Sequence, residues 1–219
     1  MNENISYFIG VLHTDASIYV FHNKKRDSVQ HRFRLEVGEK SLPMLKKTRR
    51  ILKFEFNRNL KVYFEGKNEY GTKMFCLQTS INKLLPLFKE LKIDKHTVPS
   101  YILSDTKLFG AYLAGLIDGD GDVCIKRPKY PQCRIKITSE HKSHLLIDMI
   151  RKHMNSGAWI EKTYGYVTLP RGKVVKPNAF RHCFYLSPKN VQNFMKFVYP
   201  HIQIFHKKLI IEKFLLNEF

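Results

Sequence analysis

The 219-residue sequence predicts an α+β fold of two pseudo-symmetric halves, each running αββαββα. Three observations predict it. Two apolar stretches, Tyr7–Ala16 and Leu108–Val123, fall into register with one another, and both carry an acid near the end. Behind each, segments with apolar residues at every second position recur in the same order. Helix-spaced segments then follow at matching distances: Ser80 lies as far beyond Asp15 as Ser187 lies beyond Asp120, to within two residues. The halves divide as 1–92 and 108–219, joined by 93–107, which contains Pro99.

In the first half, the helix through Tyr7–Ala16 is followed by the apolar stretch Ile18–Phe21 and the polar turn His22–Ser28. Residues 31–37 alternate, with Phe33, Leu35 and Val37 on one face and Arg32, Arg34 and Glu36 on the other, as in a half-buried strand with a basic outer face. Ser41 is placed to cap a helix through Lys53, with Pro43 in its first turn. Leu60–Glu65 alternates again and points Lys61, Tyr63 and Glu65 outward, before a turn over Glu65–Gly71. Lys73–Thr79 reads as a strand and Ser80 as the cap of a helix to about Leu91, which Pro86 would shorten or kink.

The second half repeats this. Val123–Lys126 is a strand, Arg127–Gln132 a turn, and 133–138 a strand with Ile135 and Ile137 inward and Arg134, Lys136 and Thr138 outward. A helix over His141–Met154, strands near Ala158–Tyr164 and Ala179–Leu186, a helix opened by Ser187-Pro188 and a last helix over Lys207–Asn217 complete the order. The basic loop Pro170–Pro177 has no counterpart of equal length in the first half.

The organising stretch reads L-F-G-A-Y-L-A-G-L-I-D-G-D-G-D-V over Leu108–Val123. Ala111 and Gly115 lie four apart on one helical face, which lets a second helix come close. The run is too short to span a bilayer, so that partner is another helix of the protein. It ends in Asp118, Asp120 and Asp122, at a helix end where the dipole disfavours carboxylates. A bound cation would offset this, and oxygen-only ligands suit Mg²⁺ or Ca²⁺ rather than zinc. A Gly-rich acidic turn after a core helix would explain the same residues. The N-terminal copy separates the two readings: Ser6 falls on Ala111, Tyr7 on Tyr112, Gly10 on Gly115 and Asp15 on Asp120. Packed side by side, these helices bring two carboxylates together, which is unfavourable unless metal lies between them.

L-A-G-L-I-D-G-D-G, Leu113–Gly121, resembles the signature of the LAGLIDADG homing endonucleases. The resemblance implies that the two helices form the central interface of a DNA-binding saddle, and that the penultimate acid of each motif, here Asp15 and Asp120, binds the catalytic metal. The first copy departs at His13, Thr14 and Ala16. The preceding backbone carbonyls, of Thr14 and Gly119, are freed at the helix ends and complete the expected metal set. Lys207 resembles a family lysine near the acids that tunes the attacking water and the transition state, and Lys95 holds a similar place in the first half, so both join Asp15 and Asp120 as expected catalytic residues. Glu39, Lys40, Ser139 and Glu140 are expected just outside the ligands. Mg²⁺ is the expected cofactor, with Ca²⁺ able to occupy the site without supporting cleavage. The implied activity is site-specific double-strand DNA cleavage by a monomer, as an intron- or intein-borne mobility enzyme. The chain's start at Met1 favours an intron or independent reading frame. An RNA-binding splicing maturase, acting on its own intron RNA, is the alternative on the same fold.

Composition agrees with a nucleic-acid partner. The 38 Lys and Arg exceed the 19 Asp and Glu by 19, spread along the chain rather than gathered in a tail. The expected DNA contacts are Arg32, Arg34, Lys40, Lys61, Tyr63, Lys126, Arg134 and Lys136, with Arg34 and Arg134 in matching places. The four scattered cysteines, without a C-x-x-C pair, argue against zinc and against a disulfide framework. His141, His144 and His153 are expected at the surface. With no signal peptide or transmembrane run, the expectation is an intracellular protein without a membrane partner.

Overall fold

The structure, a computed structural model, describes residues 2–23, 27–126, 130–163, 167–168, 174–175 and 179–217. Helix α1 (Glu3–His13) leads into β1 (Ala16–Asn23), β2 (Ser28–Gly38), α2 (Leu42–Phe54), β3 (Tyr63–Lys67), β4 (Lys73–Ser80) and α3 (Leu85–Glu90). A short α4 (Ser100–Ser104) follows. The order then repeats as α5 (Thr106–Asp118), β5 (Gly121–Lys126), β6 (Gln132–Ser139), α6 (His144–Met154) and β7 (Ala158–Lys162). Two-residue strands β8 (Val167–Thr168) and β9 (Val174–Val175) pair with each other before β10 (Phe180–Tyr185), α7 (Val191–Phe197) and α8 (Phe205–Leu216). The turns His22–Ser28 and Arg127–Gln132 and the loop Pro170–Pro177 each include residues outside those described.

Each half carries one four-stranded antiparallel sheet, in the orders β1-β2-β4-β3 and β5-β6-β10-β7. Phe33, Leu35 and Val37 are buried as their alternation requires, and so are Cys133, Ile135 and Ile137. Apolar side chains from both halves join one continuous core, from Phe8, Phe33 and Leu45 to Phe109, Ile135 and Phe184. Among the described residues no helix is long and apolar enough to cross a membrane.

Register corrects one correspondence. Ala16 pairs with Leu35 and Gly121 with Ile137, so the first hairpin is the longer of the two. The offset that aligns the helices therefore does not carry through the hairpin turns. Arg32, not Arg34, is the counterpart of Arg134, and Arg34 corresponds to Lys136.

Several boundaries also differ from expectation. Ser80 ends β4 and caps nothing; a 3₁₀ turn over Asn82–Leu84 intervenes, and Pro86 sits in the first turn of α3. There the missing N–H would have no helical partner, so Pro86 begins the helix instead of kinking it. Ser41 likewise makes no capping bond, because the 3₁₀ turn Glu39–Ser41 runs straight into α2. Leu60–Val62 lie outside the ladder, and β3 begins at Tyr63 and bulges between Phe64 and Gly66. The turn after it is set by the Asn68 side chain, which accepts from the amides of Tyr70 and Thr72. Helix α6 starts at His144 because the Ser143 hydroxyl caps the Leu146 amide. Helix α7 opens at Val191 rather than at Ser187-Pro188, and α8 opens at Phe205.

Candidate active site

Helices α1 and α5 pack with their backbones in contact. A Cβ built on Gly10 would overlap the Tyr112 carbonyl oxygen and lie 3.0 Å from the Gly115 Cα. A Cβ on Gly115 would overlap the Tyr7 carbonyl oxygen and lie 3.0 Å from the Gly10 Cα. The contact is reciprocal, as expected of two copies of one motif about a two-fold axis. The spacing of small residues permits it, and Ser6 and Ala111 are fully buried one turn earlier.

The glycine contact brings each helix's tyrosine to the other helix's end. Tyr7 Oη donates to Asp118 Oδ2 at 2.6 Å, and Tyr112 Oη lies 3.0 Å from His13 Nδ1. Each end is also tied to a segment outside the helix pair. Asp118 accepts from the amides of Gln203 and Ile204 at 2.8 and 3.2 Å, and His13 Nε2 lies 3.0 Å from the Asp94 carbonyl oxygen. His13 thus replaces the acid with its bonding sense inverted, donating to a carbonyl where Asp118 accepts from amides. Burial lowers the His13 pKa, which favours the neutral ring with Nε2–H donating and Nδ1 accepting from Tyr112. Burial pushes the Asp118 carboxyl up, opposed by Tyr7 and the two amides. Tyr7→Phe removes one donor from a fully buried carboxylate and is expected to lower stability by about 1–3 kcal/mol. Thermal melting measures it, and an unchanged melting point would show that the crossed bond carries no weight.

Two residues beyond these ends stand Asp15 and Asp120, each reaching solvent while its carboxyl group is hemmed in by the two helix ends. Burial first, then the neighbouring Asp120, pushes the Asp15 carboxyl up to about 6. Asp120 is raised by burial and by Glu140, against Lys207. Two exposed carboxylates, each resisting ionisation, suit a hard divalent cation that would neutralise both. Among the described residues no three His, Cys, Asp or Glu side chains gather as a metal site, so backbone, water or a phosphate must complete the set.

The Thr14 and Gly119 carbonyls precede these acids, and the two residues touch: a Cβ on Gly119 would overlap the Thr14 hydroxyl. Lys207 is buried, and its ammonium donates to the carbonyls of Ile117 at 2.6 Å, Asp118 at 2.9 Å and Gly119 at 3.4 Å. The positive charge that the acidic helix end demands is therefore supplied in part by this lysine. Its own pKa is lowered by burial and supported by Asp118, Asp15, Asp122 and Asp120. Lys95 is exposed at the mouth of a cavity of about 640 Å³ that it lines with Thr14, Asp120, Ser139 and Glu140. Glu39 and Lys40 lie in the turn before α2, where Glu39 meets Lys73 at 3.5 Å.

A carboxyl raised in the fold holds its proton more tightly there than in the unfolded chain. That contribution to metal-free stability is present at low pH and lost as pH rises through about 6. Below about 6 a metal must displace the proton, so Ca²⁺ affinity, measured calorimetrically, is expected to weaken between about pH 7.5 and 5. Equal affinity at both would remove Asp15 from the site.

Of the expected contact residues, Arg32, Arg34 and Tyr63 share the outer face of the first sheet, and Lys126, Arg134 and Lys136 that of the second. Lys40 and Lys61 lie off the strands, and Lys61 sits beside Arg49 and Val62, on the α2 side. Most of the sheet-face cations are paired within the protein. Arg34 meets Glu36 at 2.6 Å and Glu65 at 3.5 Å, Arg134 meets Glu161, and Lys136 meets Asp122. Arg32 instead lies over the Phe21 ring, 3.6 Å from its centre, and bonds to Gln30.

No protein-family model matches the chain, and no curated protein matches it in sequence. Solved structures do match in fold. The homing endonuclease I-DmoI in complex with DNA and Ca superposes with TM-score 0.61 at 15% identity, covering 96% of this chain and 97% of that one. The I-LtrWI LAGLIDADG homing endonuclease bound to target DNA gives 0.57 at 16% identity, over 99% and 90%. The chain has the LAGLIDADG homing endonuclease fold. The homing endonuclease I-WcaI, bound to its DNA recognition sequence, matches at 0.51 and 16% over 94% and 85%.

Within the LAGLIDADG fold, sequence reasoning missed the crossed tyrosines. A signal was available, since Tyr7 and Tyr112 occupy the same place in the two motif copies. His141 and His144 are exposed as expected. His153 is not a surface residue: it is buried on Phe109, with its ring nitrogens 2.9 Å from the Thr106 hydroxyl and 3.0 Å from the Leu103 carbonyl oxygen. Its place on the apolar face of α6, one position before Met154, was the available hint.

Proposed function

We propose that this chain is a divalent-metal-dependent, site-specific double-strand DNA endonuclease that acts as a monomer, with halves 1–92 and 108–219. One observation carries the reading: Asp15 and Asp120 stand exposed together at the ends of two helices locked by glycine contact and crossed tyrosines. Neither acid has a salt-bridge partner among the described residues. The fold is that of enzymes solved with target DNA, and I-DmoI was solved with Mn and Ca.

Asp15 and Asp120, with the carbonyls of Thr14 and Gly119, are the residues that would hold the metal. The chemistry a bound Mg²⁺ would supply there is activation of water and neutralisation of charge on the phosphate. Lys207 fixes the carbonyls of residues 117–119 and with them the direction of Asp120. Lys95, exposed at the cavity mouth, is placed to meet a phosphate oxygen. The outer sheet faces orient the duplex, phosphate contacts setting its position and side chains in the groove reading its bases.

The test is incubation of purified protein with fragmented genomic DNA in Mg²⁺, followed by sequencing of all new ends. The expected result is paired ends at one sequence, abolished by EDTA. Ends scattered without sequence preference, or none, would overturn the reading. Arg32→Ala is expected to weaken target binding by about 1–3 kcal/mol and relax one base position if it reads a base. Unchanged affinity at low salt would remove Arg32 from the DNA face.

A further inference from the structure

Helix α2 packs against both the first sheet and α1. Met44, Thr48 and Ile51 lie on its buried side, and Lys47 shares that side, three residues after Met44 and four before Ile51. The Lys47 ammonium sits over the Tyr7 ring, 3.7 Å from its centre, and donates to the His201 carbonyl oxygen at 3.0 Å. Tyr7 is the hydroxyl donor to Asp118, and His201 stands just before Gln203 and Ile204, whose amides are the other two donors. One cation from α2 thus touches both of the groups that hold the Asp118 carboxylate.

The second half supplies the comparison. When α2 is laid over α6, the buried residues Leu45, Thr48, Ile51 and Leu52 fall on the buried residues Ile147, Ile150, His153 and Met154, and Lys47 falls on Met149. Met149 lines one cavity with Tyr112, the twin of Tyr7. Tyr112, however, meets the His13 ring, which burial keeps neutral, where Tyr7 meets a carboxylate. The cation stands only behind the tyrosine that faces an anion, and a methionine stands behind the other. Packing alone would be served by methionine in both places. Burial lowers the Lys47 pKa to about 8, with Lys208 and Arg50 acting the same way and Asp118 and Glu3 against it. A lysine held below its ordinary pKa lowers stability at neutral pH, and the loss is relieved as pH rises past about 8. Its charge is therefore not kept there for the sake of stability.

We propose that Lys47 is a positioning residue of the acid centre: its charge fixes Tyr7 and the His201–Ile204 segment, and through them the Asp118 end of α5 from which Asp120 projects. Only the last step, from Asp118 to Asp120, rests on the proposed metal site. A neutral amine is not attracted to a ring face, so loss of the charge at alkaline pH loosens the contact with Tyr7. The groups that face Lys47 are Glu3 and Tyr7 from α1, Arg50 from α2, Asp118 from α5, His201, and Lys208 from α8. Tyr7 is pushed well above its ordinary pKa and His201 is lowered by burial, so both move away from 8. Asp118 is raised, and the variants below separate its titration from that of Lys47.

The first measurement uses metal-free protein labelled with ¹⁵N-glutamine, in which the Gln203 amide resonance reports its bond to Asp118. In the parent that resonance is expected to shift with pH, with a midpoint at about 8. Lys47→Arg stays charged and is expected to hold the parent's neutral-pH position throughout. Lys47→Met, which takes the residue its twin helix carries at that place, is expected to start displaced and show no step. Circular dichroism confirms that both variants are folded, and if Lys47→Arg is not, the loss of the step in Lys47→Met decides. A step that persists in Lys47→Arg belongs to Asp118 and overturns the proposal, as does a resonance that Lys47→Met leaves in place. The second measurement is calorimetric Ca²⁺ affinity at about pH 7.5 and 9, where a fall of about fivefold is expected in the parent and none in Lys47→Arg. An amide shift with no change in Ca²⁺ affinity confines Lys47 to the fold and overturns the positioning role. A parent that binds no Ca²⁺ at either pH overturns the metal reading instead, while the Gln203 amide still decides whether Lys47 holds Asp118.

Discussion

Gly115→Ala is expected to destabilise the protein by about 3 kcal/mol, at the upper end of the usual range for overpacking. For a chain of this size that lowers the melting temperature by about 6–12 °C. The single methyl would overlap the Tyr7 carbonyl oxygen, and its next neighbours, the Gly10 Cα and Val11 amide nitrogen, are backbone too. Backbone cannot swing aside as a side chain does, so the helices must separate. Separation carries Asp120 away from Asp15 and draws Tyr7 from Asp118. Metal binding should therefore fall further than stability, because Mg²⁺ tolerates little departure from its octahedron. Thermal melting beside a calorimetric Mg²⁺ titration makes the comparison. Gly10→Ala should behave alike, its Cβ meeting the Tyr112 carbonyl oxygen in the mirrored contact. A Gly115→Ala protein that melts and binds metal like the parent would mean the two motifs do not touch.

Asp120→Asn is expected to reduce cleavage by about a thousandfold or more, the loss that several kcal/mol of metal-supplied stabilisation implies. Duplex binding should stay within about twofold, since one carboxylate is lost and no cation is. Without metal, the variant should melt no lower than the parent, because the charge that helps hold the Asp15 carboxyl up near 6 is gone. Asp15→Asn should match it in all three measurements if each reacting strand draws on both acids. Plasmid cleavage, anisotropy and melting decide, and an Asp15→Asn protein that still cuts would show that the N-terminal motif only supports the fold.

The order of elements and the two-fold relation of the halves were legible because both are local or repetitive properties. Alternation in Phe33-Arg34-Leu35 and Cys133-Arg134-Ile135 reports which side of a strand faces the core, and burial follows it residue by residue. Gly10 and Gly115 could be matched by laying one motif on the other, and contact between the matched glycines is what a two-fold helix pair requires. Helix starts were read less well where a 3₁₀ turn preceded them, at Ser41 and Ser80, since a serine looks the same in the sequence whether its hydroxyl caps a helix or faces water.

Tertiary structure decided what spacing along the chain does not encode. The hairpin lengths differ, so only the ladder shows that Arg32 answers to Arg134. The partners of Asp118 are Tyr7, Gln203 and Ile204, far away in sequence at both ends of the chain. Lys207, read as a residue tuning the chemistry, is the buried donor that closes the end of α5. An acid at a helix end states a need for positive charge. Which group meets it, a lysine from another helix or an ion, depends on what the fold brings within about 3 Å, and no local pattern carries that.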